Sequence, residues 1–129
     1  MSAELIGVGI GLVEVPRLER ALERFGDRLL ARVFTAREIA YAARKRNGEQ
    51  NLAARFAAKL AARQLLAGET GSATALRELE VVRRRSGEPE LFAPGGRRLR
   101  VSLAHDAQYA LASVWLERTT SPEARPAGH

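Results

Sequence analysis

The chain predicts an α+β fold in which an antiparallel sheet packs on one long helix. An apolar run broken by Gly7, Gly9 and Gly11 opens it, an Ala-, Leu- and Arg-rich stretch of helical periodicity fills 51–66, and short β-forming runs alternate with Gly and Pro turns in the C-terminal half. The 129 residues suit one domain with one core, expected over 1–118. A tail with two prolines follows over 119–129 and is expected to be disordered.

The first element is a buried strand over 5–13, because the run is too short and too rich in glycine for a helix. Glu14 and Pro16 end it, and Leu18, Leu22 and Phe25 then recur at helical spacing before Gly26. Thr35-Ala36-Arg37-Glu38 is a capping-box pattern and predicts a helix running to about Arg46, stopped by Asn47-Gly48. In the long helix Leu52, Phe56 and Leu60 form one row, with Ala53, Ala57 and Ala61 as a narrow stripe beside it. Strands are expected at 79–81 and 91–92 around the turn Ser86-Gly87-Glu88-Pro89, then at 99–104 and 109–116.

Composition narrows the function. The chain has no Cys and two His, which excludes disulfide scaffolds, thiolate catalysis and Cys-ligated zinc, so any metal would need carboxylates. No apolar run approaches the roughly 20 residues of a membrane span, and the N-terminus lacks the basic and long apolar regions of a signal peptide, so a cytoplasmic protein is expected. Net charge is +6 and rests on arginine, Lys45 and Lys59 being the only lysines; guanidinium suits phosphate, carboxylate or an acidic partner. Scattered arginines and few aromatic residues argue against nucleic acid. Gly7-Val8-Gly9-Ile10-Gly11 lacks the spacing of a dinucleotide fingerprint, and Asp106, next to His105 on a strand, is poorly placed to orient it toward Ser102 as a triad.

Five blocks taken in order point further: IGVGIGLVEVPRL, RFGDRLLARVFTAREIAY, ARFAAK, ELEVVRRRSGEPEL and VSLAHDAQYALASV. Together they resemble the holo-acyl-carrier-protein synthase type of 4'-phosphopantetheinyl transferase over about residues 5–117. The resemblance implies a small subunit assembling as a homotrimer, with coenzyme A and an acidic acyl carrier protein in clefts between subunits. It also implies transfer of phosphopantetheine to a carrier-protein Ser with Mg²⁺ at the diphosphate.

The chain departs from that pattern where the metal belongs. Gly11 stands where the family has an Asp ligand, Leu60 where it has a Glu ligand, and Gln64 where it has a catalytic Lys. Neither Gly nor Leu offers Mg²⁺ an oxygen, and Gln64 cannot carry the charge of Lys. Glu14, Arg55, Lys59, Ser102 and His105 keep matched positions. The reading these changes suggest is a repurposed enzyme without a metal site and requiring no cofactor, with coenzyme A as a possible ligand. It would act on an acyl or polyketide substrate by cyclisation, dehydration or isomerisation, in a cleft that Leu60 has made apolar. His105, Glu14 and Lys59 would supply acid/base chemistry, and Arg55, Lys59, Ser102, His105, Leu60, Gln64 and Gly11 would line the substrate or coenzyme site. The alternatives are an active synthase using Mg²⁺, with Glu14 and Glu38 as substitute ligands, and a non-catalytic pseudoenzyme that binds carrier protein or coenzyme A.

Overall fold

In the computed structural model, which describes residues 4–118, the expected α+β architecture is present. The elements are β1 (Glu4–Glu14), α1 (Val15–Phe25), α2 (Asp27–Val33), α3 (Ala36–Ala43), α4 (Gly48–Thr70), β2 (Glu80–Arg83), β3 (Pro89–Ala93), β4 (Arg97–His105) and β5 (Tyr109–Arg118). The five strands form one antiparallel sheet in the order β1-β5-β4-β3-β2. The expected disordered tail, 119–129, lies outside the described residues.

The alternation of β1 decides how sheet and helix meet. Gly7, Gly9 and Gly11 turn toward α4, and Gly11 lies so close to the helix that a Cβ there would sit 2.0 Å from the Ala57 carbonyl oxygen. Glycine is required because backbone packs on backbone. The alternate residues Val8, Ile10 and Leu12 face away from the helix, and register sets Leu12 opposite Leu111. Against the inner face, Ala58, Ala61 and Leu66 of α4 pack on Leu91, Leu99 and Val114. A second cluster joins Val15 and Leu18 of α1 to Phe34 and Leu52, with the Phe34 and Phe56 rings edge to face at 6.3 Å.

Two helices differ from expectation. Residues 27–33, where the sequence predicts no helix, form α2, a seven-residue helix without a side-chain cap and with only Val33 buried. Its weak local signal explains the omission. α4 runs from Gly48 to Thr70 instead of 51–66, continuing through Gly68 and ending at Gly71, whose φ of 73° supplies the left-handed cap. α3 has the predicted capping box, but ends at Ala43. Among the described residues no helix is long and apolar enough to cross a membrane.

Candidate functional site

Glu38 is the hub around which α3, α4 and β2 are joined. It is 1 % exposed, and its Oε1 accepts from the Thr35 backbone N–H at 2.9 Å while Oε2 accepts from Val81 N–H at 2.7 Å. Lys59 Nζ, itself wholly buried, donates to Glu38 Oε1 at 2.5 Å and to the Val33 carbonyl at 2.7 Å. Burial pulls the Lys59 ammonium below its ordinary pKa, against the opposing pull of the Glu38 carboxylate. Both Glu38 oxygens are therefore engaged within the fold, so Glu38 is not a free ligand for a metal.

One turn along α3, Tyr41 gathers positive charge. Arg55 on α4 is 1 % exposed, and its Cζ stands 4.4 Å from the Tyr41 ring centre. Lys45 Nζ is 5.0 Å from the same ring and Arg44 Cζ 5.7 Å. Arg83, from the end of β2, donates to the Gly87 carbonyl at 2.5 Å, and its charge acts on the Tyr41 phenol. Arg55 donates weakly to the Asn51 carbonyl at 3.4 Å, and the buried Nε atoms of Arg55 and Arg83 have no hydrogen-bond partner among the described residues. Burial lowers the pKa of Arg55, opposed by the charge of Glu38. Burial raises that of Tyr41, but the charges of Arg83, Lys45 and Arg55 outweigh it and the phenol lies below its usual range. The cluster has the chemistry of an anion site, since the exposed Arg44 and Lys45 set donors for phosphate oxygens at the rim of the buried Arg55. Of its members the sequence singles out only Arg55; Tyr41 and Arg83 come from separate elements, and the basic pair Arg44-Lys45 beside Tyr41 was the one local signal.

The other expected site residues lie on different faces. His105, at the end of β4, points to the helical side, where its Nδ1 is 2.9 Å from Gln50 Oε1 of α4. Ser102 is exposed on the opposite face of β4, so the strand does not bring Ser102 and His105 together. Asp106 accepts from the backbone N–H groups of Gln108 and Tyr109 at 2.7 and 2.8 Å and so caps the β4–β5 turn. Glu14 is exposed at the end of β1, 3.5 Å from Arg17. Within one chain Glu14, Lys59 and His105 do not converge.

The residues at the metal positions do not fit a divalent cation. Gly11 has no space for a carboxylate beside Ala57, Leu60 is a partly exposed hydrocarbon, and Gln64 is an exposed amide. Among the described residues no three His, Asp or Glu side chains form a metal-holding group. Mg²⁺ keeps waters and takes substrate phosphates as ligands, so these changes bear on how tightly the chain itself holds a cation.

Residues 7–114 match the model of the 4'-phosphopantetheinyl transferase superfamily. A holo-[acyl-carrier-protein] synthase of Koribacter versatilis is 40% identical over 123 residues, 88% of this chain and 98% of that protein. The Solibacter usitatus synthase is 34% identical over the same shares. The crystal structure of the Bacillus anthracis synthase in complex with CoA (3',5'-ADP) has a TM-score of 0.71 at 26% identity, over 89% of this chain and 98% of that one. These relatives overturn the expectation of a repurposed enzyme acting on an acyl or polyketide substrate: identity at this level extends over nearly the whole chain and joins it to proteins named for the synthase activity. They overturn with it the expectation that no cofactor is required, which rested on the repurposed reading and not on a synthase.

Proposed function

Because the chain belongs to the 4'-phosphopantetheinyl transferase superfamily, we propose that it works as a holo-acyl-carrier-protein synthase, moving phosphopantetheine from coenzyme A to a carrier-protein Ser. The observation that carries this reading is the buried Arg55 with Lys45 and Arg44 around Tyr41, a set of cations suited to a phosphate of the coenzyme. In the transfer the Ser oxygen bonds to the phosphorus bearing the pantetheine arm and loses its proton. The bond to the bridging oxygen breaks, and 3',5'-ADP departs with the electron pair. Arg55, Arg83 and Lys45 are the charges this chain brings to that departing anion. His105 and Ser102 keep their place in this reading as coenzyme contacts, and Lys59 is a positioning residue that holds α4 against α3 through Glu38.

An acidic carrier protein has a surface to meet. On α1 the residues Arg17, Arg20 and Arg24 share one face, apart from Leu18 and Leu22, which turn inward, and the exposed Phe25 closes the row. The outer face of β1 and β5 is where copies of the chain are proposed to meet as a homotrimer: Ile10 is 71 % exposed and Leu12 60 %, beside Val8, Tyr109 and Leu111.

The test of the synthase reading is to incubate the protein with coenzyme A, Mg²⁺ and several apo carrier proteins, and to read intact mass. Addition of the phosphopantetheine arm is expected, and its loss in Arg55→Ala with retained fold. A wild type that modifies no carrier overturns it.

A further inference from the structure

Three cations stand over the Tyr41 ring, Arg55 at 4.4 Å, Lys45 at 5.0 Å and Arg44 at 5.7 Å, and the charge of Arg83 also acts on its phenol. A ring stabilises a cation at its face by about 0.5–2 kcal/mol, which does not offset the mutual repulsion of four. Glu38 is the carboxylate whose charge acts on Arg55, and its oxygens are engaged by Thr35, Val81 and Lys59. Arg44 and Lys45 are exposed at the ring, so an anion from outside the described chain can meet the cluster there, and guanidinium and ammonium donors suit a phosphate.

We propose that Tyr41 is the positioning residue for the phosphate subsite: its ring gathers Arg55, Lys45 and Arg44, keeping mutually repelling cations where one phosphate meets them. The proposal rests on the synthase reading for the bearer of that phosphate, coenzyme A. Without the ring Arg55, Lys45 and Arg44 lose the surface they gather on. That loss disperses the cations before the phosphate arrives, which weakens coenzyme binding and leaves carrier-protein binding alone. Phosphate binding also has a reporter, because it offsets the cations that hold the phenol down and so moves its titration upward.

Two measurements decide it. In calorimetry Tyr41→Leu is expected to weaken coenzyme A binding about tenfold and Tyr41→Phe, which keeps the ring, to leave it within about twofold, while the KM for carrier protein also stays within about twofold. The chain has two tyrosines, so the difference in tyrosinate absorbance between wild type and Tyr41→Phe isolates Tyr41 from Tyr109. Saturation with coenzyme A or 3',5'-ADP is expected to raise that titration midpoint by about half a pH unit or more. An unmoved midpoint overturns the proposal, as does a Tyr41→Leu variant whose coenzyme affinity is unchanged or whose KM values rise equally for both substrates. Should Tyr41→Leu fail to fold, the absorbance titration decides alone. A wild type that binds coenzyme A but modifies no carrier defeats the synthase reading, while the calorimetry and the titration still rule on Tyr41.

Discussion

Two lysines occur in a chain that otherwise uses arginine for positive charge, and one of them, Lys59, lies wholly buried against Glu38. A compact ammonium fits where two acceptors, Glu38 Oε1 and the Val33 carbonyl, converge; a planar guanidinium needs a wider fork. Lys59→Met leaves the Glu38 charge buried without its cation, and urea denaturation should show a loss of about 3–5 kcal/mol. Combining it with Glu38→Gln should recover part of that loss, because the unpaired charge goes as well. Asp106 carries the pH dependence of the β4–β5 turn. The Tyr109 and Gln108 backbone N–H groups hold its carboxylate below the ordinary Asp range, so its contribution is present above the unfolded pKa of about 3.9 and is lost as pH falls through the lower folded value. Asp106→Asn should flatten the fall in Tm between about pH 4 and pH 2; an unchanged slope refutes this assignment.

At the scale of elements, two glycines predict opposite responses. Gly11→Ala drives a Cβ into the Ala57 carbonyl and should cost about 3 kcal/mol or more, with Gly11→Asp no better, so an acidic residue cannot be returned to this position by one substitution. Gly68 sits in α4 with nothing within 4 Å of the place a methyl group would take, and Gly68→Ala should raise stability by about 0.5–1 kcal/mol. Thermal denaturation of both variants checks the pair. The same elements show what a sequence discloses. Periodicity and capping residues located β1, α1, α3 and the body of α4, because those signals act between residues a turn or a pleat apart. Glu38 was legible as a cap for Thr35 but not as the acceptor for Val81 and Lys59, partners 43 and 21 positions away. Position 11 was legible as a missing ligand, whereas the reason a side chain cannot stand there, the nearness of α4, belongs to the packed fold. Tyr41 drew no notice because its neighbours Arg55 and Arg83 come from other elements.

At the scale of the molecule, the outer face of β1 and β5 governs association. Ile10→Glu places a charge at the centre of the face on which copies are proposed to meet, and light scattering should find a trimer in the wild type and a monomer in the variant. A monomeric wild type refutes the assembly. Sheet order has a further consequence, in time. β1 ends at Glu14 and its hydrogen-bonding partner β5 begins at Tyr109, so the first strand made waits for the last. At roughly 5–20 residues per second the intervening stretch takes roughly 5–20 s to synthesise. For the later part of that interval an uncharged apolar strand, residues 5–13, is outside the ribosome without its neighbour. Ribosome-bound chains halted before Tyr109 should therefore be cut by added protease within this strand, whereas the finished protein resists. The chain thus begins life with an apolar segment whose pairing edge stays open to other chains until its last strand is made.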